Sequence, residues 1–215
     1  MRACPDLSLY LILGAADTAG TPFEEVVLSA VAGGVSVVQL RDKHTCARDQ
    51  VANAKRLKAL LAPRGVPLIV NDRVDVALAA GADGVHLGQD DMHAADARRL
   101  IGEEMLIGTS VHNAHEAAGV DPELVDYVGI GPVFGTGSKA DPDPAIGPEG
   151  VAELSRQVGL PAVAIGGITG ANAGQLAGTG VDGLAVISAI CHADDPGAAA
   201  QRIRRSFGAD NLVAG

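Results

Sequence analysis

Eight short apolar runs, at 7–13, 35–40, 68–70, 84–87, 106–110, 127–130, 162–165 and 183–187, constrain the fold of this chain more than any other feature. Each is nearly unbroken in hydrophobicity instead of alternating, which marks a strand buried on both faces. Between them lie segments with helical patterning, among them 22–32, 47–61, 94–101, 148–158, 171–177 and 196–207. Strand–helix alternation calls for parallel pairing through right-handed crossovers. The repeated unit therefore predicts an α/β protein, a single-domain (β/α)8 TIM barrel over residues 1–215, with an open doubly wound sheet as the alternative. A chain of 215 residues can bury the core that one such domain needs, and no linker or low-complexity tract divides it.

The barrel prediction separates two kinds of loop. GADG at 81–84 and GVDG at 180–183 recur where a helix-like segment turns into an apolar run. Glycine supplies the left-handed backbone of a helix end, so these turns belong to the face that stabilises a barrel. Chemistry is expected at the opposite rim, where the strands end. That rim collects QLRDK (39–43), ND (71–72), HLGQDD (86–91), Ser110, GPVFGTGSK (131–139), GGI (166–168) and ISAI (187–190).

These residue types fit an anionic substrate bound with a divalent metal. Arg41, Lys43 and Lys139 can meet phosphate oxygens, and Asp72 and Asp91 offer hard oxygen ligands to Mg²⁺. Read singly they are less informative: Arg41 and Lys43 suit any solvated rim, and Asp72 suits the N-cap of a helix starting near Val74. Gly166 and Gly167 can relieve crowding as well as admit a phosphate, and the proline-containing stretch 135–147 reads as a lid or as an ordinary loop. It is the placement of all of them after successive strands that points to a site.

Composition excludes several classes. A formal charge of -10 and a pI near 4.9 argue against non-specific nucleic-acid binding, which needs a basic footprint. Aromatic content of 2% without Trp argues against stacking platforms for single strands. Cys4, Cys46 and Cys191 cannot all pair and show no CxxC spacing, so a reduced, cytoplasmic protein is expected. No run approaches the length of a membrane span, and no signal-like start is present. No two of the six histidines have HExxH spacing; His86 reads as a hydrogen-bonded structural residue and His112 as a possible proton carrier near the rim.

In this order, QLRDK, ND, HLGQ-x-D, GPVF-x-T-x-[TS]-K and GGI closely resemble the thiamine-phosphate synthase family, from the second strand to the eighth. The resemblance implies a (β/α)8 transferase. Its members condense 4-amino-2-methyl-5-hydroxymethylpyrimidine diphosphate with 4-methyl-5-(2-phosphooxyethyl)thiazole, releasing diphosphate. It further implies a dissociative route through a pyrimidine carbocation. Carried over residue by residue, Gln39, Leu40, Arg41, Asp42, Lys43, Asn71, Ser110 and Lys139 form the pyrimidine diphosphate site. Arg41, Lys43, Ser110 and Lys139 take the catalytic roles, and Asp72 and Asp91 bind Mg²⁺. Thr136, Gly137, Ser138, Gly167, Ile187 and Ser188 contact the thiazole phosphate, with Ser138 standing where threonine is common. The first strand carries no matching motif. A thiazole tautomerase-like isomerase, which would use His112, and a noncatalytic thiamine-pathway regulator are the competing readings; oligomeric state is open.

Overall fold

In a computed structural model, which describes residues 4–18, 20–135 and 144–208, eight parallel strands close into a barrel in sequence order. They are β1 (Leu9–Leu13), β2 (Val37–Leu40), β3 (Leu68–Asn71), β4 (Gly84–Leu87), β5 (Leu106–Val111), β6 (Tyr127–Ile130), β7 (Ala162–Ile165) and β8 (Gly183–Val186). The ring is completed by β1 against β8, with Leu9 opposite Leu184 and Leu11 opposite Val186. Closure removes the open sheet from consideration.

Parity along each strand sorts the side chains. Leu9, Leu11, Leu13, Val38, Leu40, Val85 and Leu87 pack outward against the helices, whereas Tyr10, Ile12, Val37, Ile69, Tyr127, Val163 and Ala185 fill the barrel interior. Both layers bury apolar side chains, which is why the strands read as continuous apolar runs.

The helices are α1 (Phe23–Ala32), α2 (Ala47–Leu61), α3 (Val74–Ala80), α4 (Ala94–Ile101), α5 (Ala114–Ala118), α6 (Gly147–Val158), α7 (Ser188–Cys191) and α8 (Pro196–Phe207). The helix expected at 171–177 is instead a 3-10 turn at Ala173–Leu176, because Gly170 and Gly174 weaken helix propagation there. Two short helices, α5 and α7, carry too few residues to show a 3.6-residue period. Asn113 starts α5 by accepting the N–H groups of His115 and Glu116 at 3.0 Å. Among the described residues no helix is long and apolar enough to cross a membrane.

At the strand-start face the two recurring turns behave as expected, with Gly81 at φ 66° and Gly180 at φ 87°. The aspartate that follows each has a separate task. Asp83, Asp126 and Asp182 stand immediately before β4, β6 and β8, and their carboxylates accept the N–H of Leu68, Ile107 and Ala162 respectively, each at 2.8 Å. Each also donates its own N–H to the carbonyl of that same residue. Alternate strand pairs are thereby pinned in register where the ladder would leave backbone groups unpaired.

Candidate active site

Opposite those turns, the strand ends enclose a cavity of about 420 Å³. β2 and its loop supply Gln39, Arg41 and Lys43; β3 supplies Asn71 and the residue after it Asp72; the loop after β4 supplies Gln89 and Asp91; and β5 supplies Ser110. Across the ring, Gly166, Gly167, Ile187 and Ser188 close the wall after β7 and β8. Strand parity explains the choice: Gln39 faces inward, while its neighbour Leu40 is buried in the outer layer. Asp42 also turns away; its carboxylate accepts from Asn53 at 3.4 Å and from the Thr45 hydroxyl. Leu40 and Asp42 line an adjoining cavity of about 300 Å³, whose wall shares Lys43, Asn71, Asp72 and Asp91 with the first. Thr136, Gly137, Ser138 and Lys139 lie outside the described residues, as does most of the lid candidate.

Asp72 does not cap α3. The cap position is Arg73, and no side chain caps that helix. The Asp72 carboxylate instead lies 3.3 Å from the Lys43 ammonium and beside Asp91, with its backbone at φ 61°, the one left-handed non-glycine among the described residues. Holding an aspartate there needs support from its surroundings, and the Asp72 N–H is anchored on the His86 carbonyl at 2.8 Å. Burial, and then the Asp91 carboxylate, push the Asp72 carboxyl up to about 6 against the opposing pull of Lys43. Asp91 in turn accepts the Gly88 N–H at 2.7 Å, which shapes the loop that carries it.

Two adjoining carboxylates with one of them reluctant to ionise form a donor set short of positive charge. The set fits a divalent cation. Among the described residues no cluster of three or more His, Cys, Asp or Glu side chains is assembled for a metal, so the remaining ligands would come from water and substrate oxygens, the coordination Mg²⁺ favours. The raised Asp72 carboxyl has a stability consequence. Because the folded form binds its proton more tightly, the metal-free protein should gain stability as pH falls from about 6 toward 3.8. Asp72→Asn should therefore raise the metal-free melting temperature at about pH 8, with the gain fading toward about pH 4, as thermal melts would show.

The cavity floor holds groups that sequence reasoning left in the core. Gln39 donates its amide N–H to the Tyr10 hydroxyl at 2.9 Å, which lies 2.8 Å from the Tyr127 hydroxyl. Tyr127 reaches His86 Nδ1 at 3.2 Å, and His86 Nε2 meets Ser110 Oγ at 3.1 Å. Burial pushes both tyrosine hydroxyls up and pushes the His86 imidazole down to about 4, the latter despite Asp91 and with help from His112. The available signal was that the chain has only two tyrosines, each at an inward position of an apolar run. At the cavity wall Glu116 accepts from both the backbone N–H and Nδ1 of His112 at 2.8 Å, and this fixes the ring. A carboxylate can only accept, so Nδ1 carries a hydrogen.

Gly166 and Gly167 relieve crowding where β7 ends, a Cβ at Gly166 lying 2.6 Å from Pro132 Cβ. Gly167 sits at φ 63°, and a Cβ there would lie 2.5 Å from the Gly135 carbonyl oxygen, so only glycine lets the β6 and β7 loops meet beside the cavity.

The fold and this rim define a (β/α)8-barrel enzyme class in which cations and a carboxylate pair on the β2–β4 arc face a glycine turn across the barrel mouth. Residues 9–190 match the thiamine monophosphate synthase family. The chain is 49% identical to the thiamine-phosphate synthase of Albidiferax ferrireducens over 199 residues, 93% of this chain and 91% of that protein. It is 50% identical to that of Xanthobacter autotrophicus over 199 residues, 93% and 94% of the two chains. A solved thiamine phosphate pyrophosphorylase from Pyrococcus furiosus superposes with a TM-score of 0.85 at 38% identity, covering 98% of both chains. The chain belongs to the thiamine monophosphate synthase family, transferases of thiamine biosynthesis.

Proposed function

We propose that the protein condenses 4-amino-2-methyl-5-hydroxymethylpyrimidine diphosphate with 4-methyl-5-(2-phosphooxyethyl)thiazole, giving thiamine phosphate and diphosphate in the cytoplasm. The observation that carries this reading is the division of the cavity rim. Arg41, Lys43, Asp72 and Asp91 stand on the β2–β4 arc, and the glycine turn and Ser188 stand on the opposed β7–β8 arc. Two phosphorylated substrates can thus be held face to face, one by charge and metal and the other mainly by backbone N–H groups.

Gln39, Asn71 and Ser110 orient the pyrimidine while Arg41, Lys43 and Lys139 grip its diphosphate. Gly167, Ile187 and Ser188, with Thr136, Gly137 and Ser138, hold the thiazole phosphate. The C–O bond to diphosphate breaks with its electron pair leaving on oxygen, and the thiazole nitrogen then donates its lone pair to form the C–N bond. Cations around the leaving oxygens stabilise the charge that grows there. Mg²⁺ held by Asp72 and Asp91 would supply further charge neutralisation at the diphosphate. No side chain serves as a nucleophile, so what the protein contributes is orientation, electrostatics and exclusion of water from the cation.

His112, oriented by Glu116 at the same cavity, is the observation that favours a thiazole tautomerase-like isomerase. That reaction leaves the carboxylate pair and the β2 cations without a task. Incubating the protein with Mg²⁺ and both substrates decides the matter. Metal-dependent, equimolar thiamine phosphate and diphosphate are expected, and folded protein that yields neither while isomerising a thiazole phosphate carboxylate would replace this reading.

A further inference from the structure

The hydrogen bonds from Gln39 through Tyr10, Tyr127 and His86 to Ser110 form one continuous line at the cavity floor, and Gln39, His86 and Ser110 border the cavity. Its proton order follows from counting donors. The Gln39 amide nitrogen has only hydrogens to offer, so the Tyr10 oxygen accepts. Tyr10 has one hydrogen, and the neighbouring Tyr127 oxygen is its acceptor at 2.8 Å. Tyr127 must then pass its own hydrogen to His86 Nδ1. With its Nδ1 lone pair engaged, the imidazole carries its hydrogen on Nε2 and donates it to Ser110 Oγ. With the Gln39 amide in this orientation, any other order buries a hydroxyl hydrogen without an acceptor; turning the amide over reverses every step.

The ends inherit opposite characters. Gln39 turns its amide nitrogen into the line, which leaves its carbonyl oxygen for the cavity, and Ser110, already accepting from His86, keeps its hydroxyl hydrogen for the cavity. We propose that Tyr10, Tyr127 and His86 are positioning residues that set Gln39 as an acceptor and Ser110 as a donor, so that the cavity selects a 4-aminopyrimidine edge over a 4-oxopyrimidine edge. The amino edge presents an N–H beside a ring nitrogen lone pair; the oxo tautomer presents a carbonyl beside a ring N–H, the reverse pattern. With the line as placed, the oxo edge can be met only through the second N–H of Gln39 and the second lone pair of Ser110; presenting the reversed ends in full moves every member together, as the Gln39 amide turns over, both tyrosine hydroxyls rotate, and His86 moves its hydrogen to Nδ1. Such coupling makes the choice sharper than a rotatable serine and amide alone could make it.

The barrel makes room for this contact. A Cβ at Gly108, the inward position of β5 beside the line, would lie 2.2 Å from Tyr127 Cζ and 2.6 Å from His86 Nδ1. A glycine inside a strand often marks such a close approach, and here it lets a tyrosine hydroxyl reach a histidine.

The inference rests on the aminopyrimidine diphosphate being the substrate, and two measurements keep the two readings apart. The first is the ¹⁵N NMR spectrum of the whole protein near neutral pH, with the His86 signals assigned by their loss in His86→Gln. The hydrogen is expected on Nε2, independently of any activity, and a hydrogen on Nδ1 or on both nitrogens overturns the proposal. The second is the ratio of kcat/KM for the 4-amino substrate to that for its 4-oxo analogue. Removing the hydroxyl in Tyr10→Phe or Tyr127→Phe should lower this preference about tenfold, with KM for the thiazole phosphate unchanged. A ratio unchanged in both folded variants overturns the proposal. Wild-type protein inactive with the amino substrate defeats the functional reading instead, and the tautomer still decides whether the line has this polarity.

Discussion

Asp91→Asn is expected to lower Mg²⁺-dependent turnover about a thousandfold, the loss of roughly 4 kcal/mol of transition-state stabilisation. Asparagine is the informative replacement because Asp91 has two tasks. One of its oxygens accepts the Gly88 N–H at 2.7 Å, a bond the Asn carbonyl can keep, whereas the negative charge offered to a cation beside Asp72 is lost. Asp91→Ala removes both and should cost about 1 kcal/mol more in stability through the loop. Turnover measured across a Mg²⁺ titration checks the assignment. A normal titration in a folded Asp91→Asn variant would reject Asp91 as a ligand, whereas partial rescue at high Mg²⁺ is the result expected if one carboxylate and the diphosphate still hold the ion weakly.

Asp126→Ala should destabilise the fold by about 3–5 kcal/mol, a large share of the roughly 5–15 kcal/mol that holds a domain together. Asp126 and Arg98 are both only 6% exposed, and their side chains meet at 2.8 Å. The guanidinium also donates to the carbonyls of Gly102, Met105 and Leu124, so it is fixed in place and cannot swing into solvent when its carboxylate is removed. The same substitution frees the Ile107 N–H. Asp182→Ala provides the comparison: it frees the Ala162 N–H without breaking a guanidinium pair of this kind, and about 1–3 kcal/mol is expected. Denaturant unfolding of the two variants should separate them. Equal losses would mean that the backbone cap, and not the buried charge pair, dominates at Asp126.

Much of the rim was legible because rim residues in a barrel follow directly on strands, and strands buried on both faces announce themselves as apolar runs. β4, β6 and β7 begin and end where the sequence placed them. Gln39, Arg41, Lys43, Asn71, Asp72, Asp91 and Ser110 reach one cavity, as do Gly167, Ile187 and Ser188. Leu40 and Asp42 belong to the same run of residues as Gln39 and Arg41 but direct their side chains away from that cavity, as pleating sends alternate side chains of a strand to opposite sides. Asp72 was ambiguous for a similar reason, since a residue between strand and helix can cap the helix or face the rim, and the left-handed backbone that chooses between them is held by the His86 carbonyl from a neighbouring strand.

Local sequence, then, determined the strand and helix order, the barrel, and the residues carried on its rim, because these depend on periodicity and turn chemistry within a few residues. Only the tertiary structure decided which distant groups meet. Tyr10 and Tyr127 are separated by 117 positions and lay unmarked in apolar runs until ring closure put their hydroxyls in contact. Asp72 and Asp91 became a pair only when β3 and β4 were set side by side. Contact across a barrel interior is a property of strand order, register and closure, which no single segment encodes, and buried hydrogen-bond polarity is set by the whole line of partners at once.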